Sequence, residues 1–336
     1  VIILACYCCC CFCYSEGSAV RVDDTDVTIP DLLWQIALPE SGSNHAKRGL
    51  RSGNGIVLAR DGVQLWIVAD DGHLFVLDSR TGDVIRHVSP SEVRSADEDE
   101  SRILRTESRS SVSIHYNANN SNTISFVVYV ITEIMSAPVQ EKTRIVALYG
   151  DGSLWRTQLE DGVAEGTPII SNDGSKIILN LNTIESDNVR NPARKGHSLV
   201  LDLIDWSRYN VDSFENSPYG EAAYDDTNDM IYWADPWRFG YGDRGVLYSR
   251  LISNHAIPTV TRLNQLDFSS ITAPIVSDNG DKIWLGGSRS ELRSWKGDGS
   301  SIDELLPLWK RSLQRDKRNR NSRKYIFYLK CIIISN

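Results

Sequence analysis

The chain has 336 residues, 41% of them hydrophobic and 24% charged, so it is long enough for one large or two ordinary domains and too apolar for a disordered chain. The formal net charge of −8 is uneven, because residues 310–336 carry nine Lys or Arg and one Asp, a net of +8, which leaves −16 for residues 1–309. An acidic body repels nucleic acid and anionic membranes, so we expect no nucleic-acid partner for the folded part.

The first nineteen residues have the composition of a signal peptide. The apolar run Val1–Tyr14 matches a signal-peptide core in length and is too short to span a membrane, and Gly17 and Ala19 are small residues suited to a cut after Ala19. Alternatively, the six Cys between Cys6 and Cys13 make this segment an S-acylated anchor that stays attached. Both interpretations predict a protein that is secreted, lies in the secretory-pathway lumen, or is tethered to a membrane by this segment alone.

A strand-and-turn pattern then repeats along the chain. Runs of β-branched and aromatic residues alternate with polar turns, as in antiparallel hairpins. The repeating turns lie near residues 61, 119, 173, 227 and 279, in steps of 58, 54, 54 and 52. In the clearest copy GIVLARDG, VQLWIVAD, GHLFVLDSRTG and DVIRHV read as strands A to D. The period predicts an all-β fold, a β-propeller with about five visible four-stranded blades.

The repeat also fixes the expected domain boundaries. Residues 1–19 are the signal peptide or anchor, 20–30 a linker, 31–313 the propeller, and 314–336 a basic and apolar tail outside the fold. Aromatic residues recur on strand B, where we expect them to pack between blades rather than to bind a cofactor. They are Trp66, Tyr129, Trp233 and Trp284.

The segment DGHLFVLDSRTGDV resembles the repeat of the PQQ-like, or quinoprotein-alcohol-dehydrogenase-like, propellers, with Asp78, Thr81 and Gly82 at the motif positions. Trp34 and Trp309 resemble that family's strand-D tryptophan, and DMIYWAD in the fourth blade is similar to the YWTD and gluconolactonase-like propellers. The resemblance implies blade architecture over residues 31–313. It also implies that an enzyme of the family would hold PQQ with an adjacent Cys pair, a stacking Trp and acidic residues around calcium.

The cofactor residues of that family are not recognisable here. No Cys lies between Cys13 and Cys331, so PQQ is not expected. The six His show no metal-ligand spacing, and no nucleophile or nucleotide-binding motif stands in a fitting context. Asp-rich turns could bind calcium, but Asp also stabilises turns by accepting backbone hydrogen bonds. We therefore expect no catalytic residue and no metal site, and one glycosylation sequon, at Asn119.

The connections between strands B and C are predicted to form the binding surface. They are short in blades one and five and long in the other three, over about Glu133–Thr143, Ile184–Gly196 and Asp235–Arg244, all expected on one face. The charged stretch His87–Val112 is predicted to be a mobile, solvated loop on that face. Exposed aromatics next to Arg are typical of recognition surfaces. The predicted binding residues are Arg190, Arg194, Trp237, Arg238, Phe239, Tyr241 and Arg244.

Two hypotheses of function follow. The first is a non-catalytic binding or scaffold propeller of the secretory pathway or cell exterior, with an unidentified protein, glycan or small-molecule ligand. The alternative is an enzyme, either a degenerate quinoprotein-like oxidoreductase or a gluconolactonase-like hydrolase with acidic metal ligands at the axis.

The count of strands predicts an incomplete ring. Leu32–Leu38 reads as a strand D before blade one, while Leu305–Leu313 reads as the strand D of blade five. Because a closed ring needs only one of these, at least one further blade is expected to follow Trp309.

Overall fold

The structure is a computed structural model. It describes residues 2–4, 34–36, 55–95, 98, 100–108, 110–136, 139–164, 166–184, 194–214, 222–235, 246–252, 261–265, 274–277, 280, 282–286, 292–296 and 302–303. Two short strands precede the repeats: β1 (Ile2–Leu4) pairs antiparallel with β2 (Trp34–Ile36). The strand predicted at Leu32–Leu38 therefore exists in its centre, but its described partner is β1, and its assignment as a spare strand D is corrected.

Five antiparallel sheets follow one another along the described chain, and each takes its strands in sequence order. Blade one contains β3 (Ile56–Leu58), β4 (Gln64–Val68), β5 (Leu74–Asp78) and β6 (Val84–Val88). Blade two contains β7 (Ile103–Glu107), β8 (Ser113–Asn117), β9 (Asn120–Ser136), β10 (Val139–Tyr149) and β11 (Leu154–Asp161). Blade three contains β12 (Val163–Ala164), β13 (Ile169–Ile170), β14 (Lys176–Ile184), β15 (Arg194–Asp202) and β16 (Arg208–Phe214). Blade four contains β17 (Ala222–Asp225), β18 (Met230–Asp235), β19 (Val246–Leu251) and β20 (Thr261–Gln265). Blade five contains β21 (Ile275–Val276), β22 (Lys282–Gly286), β23 (Leu292–Lys296) and β24 (Ile302–Asp303).

The strand D of blade five begins earlier than the sequence indicates. It is β24, which pairs with β23 through Trp295 and Ile302. Residues 305–313 lie outside the described residues, so the missing blade stays a prediction, but the count of two D strands on which it rested no longer includes β2.

Successive sheets pack face to face. Residues alternate between the two faces of a strand, so neighbours on β9 enter different cores. Tyr129 joins the core that also contains Trp66 of blade one, whereas Val128 and Val130 join the core shared with blade three. A third core joins blades three and four and contains Trp233. The middle blades are thus buried on both faces, as propeller blades are, which confirms the predicted fold and the inter-blade packing of these three aromatics.

Hydrogen bonds between blades join positions about one repeat apart. The Arg60 N–H donates to Tyr116 Oη at 2.9 Å, 56 residues away, and the Arg60 guanidinium lies 4.4 Å from the centre of the Tyr116 ring. The Asn172 N–H donates to Asp226 Oδ1 at 3.3 Å, 54 residues away. His115 Nε2 lies 3.2 Å from the carbonyl oxygen of Asn172, 57 residues away. Equivalent turns of consecutive blades therefore touch one another, as they do around a common axis.

Blades two and three are taller than the others, because strand A is split in both. On β9, β8 pairs with the first part of the strand and β7 with the last, where Glu107 lies opposite Thr132. On β14, β13 and β12 divide the strand in the same way, with Ala164 opposite Leu181. Strand B accordingly has 17 residues in blade two and 9 in blade three, against 5 in blade one.

Two loop predictions are wrong for this reason. Most of Glu133–Thr143 continues β9 and β10, with Ser136 opposite Val139. The stretch His87–Val112 contains 3₁₀ helices at Pro90–Val93 and Glu100–Arg102 and the strand β7, and buries Val93 and Val112 in the first core. The charges of His87–Val112 suggested a solvated loop, but Arg94 and Glu98 are paired with Glu133 and Arg144 inside the fold.

Candidate functional site

The end of each blade where strands B and C are joined is called its upper end, and the end with the A–B and C–D turns its lower end. Thr143 Oγ1, near the top of β10, donates to the Gly162 carbonyl and accepts from the Ala164 N–H, both at 2.8 Å. The upper ends of blades two and three therefore meet. At the lower ends of blades three and four, Lys176 Nζ lies 3.0 Å from Asp229 Oδ1, just before their B strands rise. The B–C ends of these three blades thus lie on one side.

The predicted binding residues follow these strand ends. Arg194 is the first residue of β15, opposite Ile184 at the end of β14. In blade four, Asp235 at the end of β18 lies opposite Val246 at the start of β19. The remaining predicted residues lie outside the described residues: Arg190, Trp237, Arg238, Phe239, Tyr241 and Arg244.

Buried polar side chains concentrate in the upper parts of blades two and three. Each of the following is at most 8% exposed: Glu107, Ser108, Ser110, Thr132, Glu133, Thr143, Arg144, Glu160, Asn180, Asn182 and Ser198. Burying a polar group costs free energy unless it is hydrogen-bonded, and most buried polar groups are. Ser198 Oγ donates to Asn180 Oδ1 at 2.6 Å, and Arg208 Nη1 to Glu160 Oε2 at 3.0 Å.

Arg144 and Glu133 form the centre of a buried ion network between blades one and two. Both side chains are 1% exposed. Arg144 Nε donates to Glu133 Oε1 at 2.8 Å and Nη2 to Oε2 at 3.1 Å, while Arg94 Nε reaches Glu133 Oε1 at 3.0 Å. Arg144 also holds Glu98 through both terminal nitrogens, with Nη1 3.1 Å from Oε1. The network fastens the segment between blades one and two to strands B and C of blade two.

Glu133 and Arg144, the two central residues of the network, both stay charged. Burial alone would raise the pKa of Glu133, but hydrogen bonds and positive charge from Arg144 and Arg94 outweigh it and lower that pKa. Burial alone would lower the pKa of Arg144, but hydrogen bonds and negative charge from Glu133 and Glu98 outweigh burial and raise that pKa. Glu133 lies in the run TISFVVYVITEIMS, whose β-branched residues favour a strand, but no local signal pairs it with Arg144.

A cavity of about 280 Å³ lies where the A strands of blades two, three and four meet. It is lined by Ser113, Ile114, Thr167, Pro168, Ile169, Ile170 and Ala222. Its hydroxyl groups already serve the fold, because Ser113 Oγ donates to the Pro168 carbonyl and Thr167 Oγ1 accepts from the Ser111 N–H at 3.1 Å. The lining that the structure describes is therefore mostly aliphatic and uncharged.

The motif of the family resemblance forms the C–D turn of blade one. Asp78 Oδ1 accepts from the N–H groups of Arg80 at 2.8 Å and Thr81 at 3.1 Å, and these bonds, the Arg80 bond first, lower the pKa of Asp78. Gly82 has a φ of +76°, a conformation that favours glycine. The motif therefore specifies a turn.

Within the described residues there is neither a metal cluster nor a membrane-spanning helix, and the glycosylation sequon lies at a turn. No three or more His, Cys, Asp or Glu side chains there are grouped so that they could hold a metal ion. No helix there combines the length and the apolar character needed to cross a membrane. Asn119 is exposed in the turn between β8 and β9, where its N–H donates to Asn117 Oδ1 at 2.8 Å.

No family model matches the chain, and no curated protein matches it in sequence. Solved structures of similar fold include the Dos1 propeller, with 11% identity and a TM-score of 0.49 over 74% of this chain and 57% of that one. Oligogalacturonate lyase in complex with manganese has 12% identity and a TM-score of 0.48, over 75% of this chain and 65% of that one. BamB from Moraxella catarrhalis has 13% identity and a TM-score of 0.40, over 74% of this chain and 59% of that one. The chain spans less than two thirds of each of them. At such identities the likeness concerns the fold alone, which rests here on sheet order and inter-blade contacts.

Proposed function

We propose that the chain is a non-catalytic binding or scaffold propeller with PQQ-like repeats, acting in the secretory pathway or outside the cell. The observation that carries the proposal is the shared upper side of blades two to four, which the long strands of blades two and three extend. In blades three and four, paired strands hold the ends between which the remaining predicted binding segments run, and a buried ion network stabilises the same side at blade two. Rigid strands that present variable connections are a common arrangement for recognition.

The binding surface of the proposal combines three aromatic residues with arginines. The segment between β18 and β19 carries Trp237, Phe239 and Tyr241 together with Arg238 and Arg244. This composition favours a protein or glycan ligand, since aromatic and Arg side chains supply most of the energy in such contacts. Contact with a membrane is expected only through the N-terminal segment, and nucleic acid is not an expected partner because the body is acidic.

Removing Trp237 and Arg238 tests the surface. The Trp237→Ala/Arg238→Ala double variant and wild type are compared on a glycan array and on intact cells, with Arg80→Ala as the control because Arg80 is exposed at a lower-end turn. We expect lost binding with stability changed by about 0.5 kcal/mol at most, and no effect of the control. A large loss of stability would show that the ring is part of the core. Dehydrogenase or lactonase turnover that purifies with the chain would favour the enzyme alternative instead.

The proposed location is tested at Asn119. Expressed with its N-terminal segment in a eukaryotic cell, the chain should carry a glycan that a peptide N-glycosidase removes, because the sequon lies at an exposed turn. Asn119→Gln should abolish the mass shift, and Asn120→Gln, which keeps the sequon intact, should preserve it. A chain that stays in the cytosol without a glycan contradicts the proposed location.

A further inference from the structure

Two histidines stand together near the upper end of blade one. His73 follows the turn that joins β4 to β5, and His87 lies on β6 opposite Phe75. Because His73 and Phe75 are two residues apart, both histidines project from the same face of the sheet. Phe75 is fully buried, and its ring stacks on that of His87 with 4.7 Å between the ring centres.

The imidazole rings face each other through nitrogen atoms. His73 Nδ1 lies 2.7 Å from His87 Nε2, and the ring planes differ by only 7°. Two such nitrogens can share one proton, or they can bind one metal ion if they move slightly apart. Zinc bonds of about 2.0–2.1 Å in tetrahedral geometry require an N···N distance of about 3.3 Å, so the rings would need to separate by about 0.6 Å. His87 is exposed, which leaves its ring room to move.

A carboxylate stands at the other nitrogen of His73. Asp71 Oδ2 lies 3.9 Å from His73 Nε2, while Oδ1 accepts from the His73 N–H at 3.3 Å. The longer distance exceeds a hydrogen bond, but a negative charge there favours a ring whose opposite nitrogen holds a cation. The described chain therefore provides two nitrogen ligands and a charge behind one of them.

We propose that His73 Nδ1 and His87 Nε2 form a binding site for a divalent transition-metal ion of the zinc, copper or nickel class, the ions that imidazole prefers. Water or a partner's side chain completes the coordination, because the described residues supply no third ligand. The proton that the facing nitrogens share moves to the far nitrogen of the same ring, so both rings stay neutral when the ion binds. The site is independent of the proposed function, which rests on blades two to four.

Titration of the whole purified chain with Zn²⁺, Ni²⁺ and Cu²⁺ in metal-free buffer tests the site. We expect wild type to bind one ion of this class here, and His73→Gln and His87→Gln each to weaken that binding by at least about tenfold. The ion should raise the melting temperature of wild type more than that of either variant. Ile85→Ala is the matched control, since Ile85 is exposed on the same strand and carries no ligand atom.

Two results would overturn the proposal. One is equal affinity in wild type and the folded histidine variants, which would place the ion elsewhere. The other is no ion bound by wild type, which would leave the pair a proton-sharing hydrogen bond. Circular dichroism checks that each variant is folded, and the two histidine variants give independent answers. Neither result affects the Trp237–Arg238 binding experiment.

Discussion

The two ends of the contact between blades one and two are built from different chemistry. At the lower end it is apolar, with Val127 and Leu148 of blade two buried in the first core. At the upper end the same two strands, β9 and β10, bury Glu133 and Arg144 instead. Apolar burial stabilises without fixing direction, whereas a paired charge requires its partners in set positions. The lower end therefore holds the blades together, and the upper end fixes where the connecting segment lies.

Loss of a buried charge partner should have the largest effect. Arg144→Ala leaves Glu133 buried with Arg94 as its remaining cation and should lower the free energy of unfolding by about 3–5 kcal/mol. Leu148→Ala at the lower end should cost about 2–5 kcal/mol through lost packing. Urea unfolding measures both. A second change, Glu133→Gln, should restore part of the loss in Arg144→Ala and none in Leu148→Ala. A cost below about 1 kcal/mol for Arg144→Ala would show that the network adds little.

Lowering the pH should weaken the ion network at the upper end more than the apolar packing at the lower end. The pKa of Glu133 is lowered in the folded chain from its ordinary 4.5, so its stabilising contribution is complete above that value and is lost as pH falls through the folded pKa. Between about pH 5 and pH 3 the unfolding midpoint should fall more steeply in wild type than in Glu133→Gln. Leu148→Ala should keep the wild-type steepness, since it leaves the network intact. Parallel curves for wild type and Glu133→Gln would contradict the lowered pKa.

The smallest expected effect separates turn strain from contact between blades. Gly62 and Gly174 occupy matching A–B turns with φ of +70° and +72°. An added Cβ meets no described atom within 4 Å at Gly62, but at Gly174 it would lie 2.7 Å from the His115 ring of the preceding blade. Gly62→Ala should therefore cost about 1 kcal/mol from strain, and Gly174→Ala about 1 kcal/mol more. Equal melting temperatures for the two variants would mean that His115 moves aside without cost.

The repeat was predictable from the sequence because its determinants are local. The turn around Asp78 and Gly82 and the alternation of the strands can be read without knowing the fold. In blade three the local sequence pattern does not predict this turn. Trp206 takes the position that Gly82 has in blade one, with a φ of +62°, and its N–H donates to the Asp202 carbonyl at 2.8 Å. Trp206 is 7% exposed and belongs to the core between blades two and three, so tertiary packing compensates for a conformation that its residue type disfavours.

The upper end was less predictable because its determinants are distant in sequence. Glu133 reads as a loop residue until its partners are known, and these lie 39 residues before it, at Arg94, and 11 after it, at Arg144. Likewise, strand A of blade two is split into β7 and β8 because each of them pairs with a different part of β9. Of the predicted binding residues, only Arg194 falls among the described residues, at the start of β15, so that surface stays a prediction.

The one-repeat spacing of the inter-blade hydrogen bonds has a consequence for how such a chain can change. Arg60 meets Tyr116, and Asn172 meets Asp226, so each of these contacts involves only adjacent blades. A change in one blade must then be matched by its two neighbours and no others, because stability adds up from units and their borders. Blade two could acquire a strand of 17 residues while blade one kept 5. Evolution can therefore rebuild one blade with its borders and leave the blades that are not adjacent to it as they are.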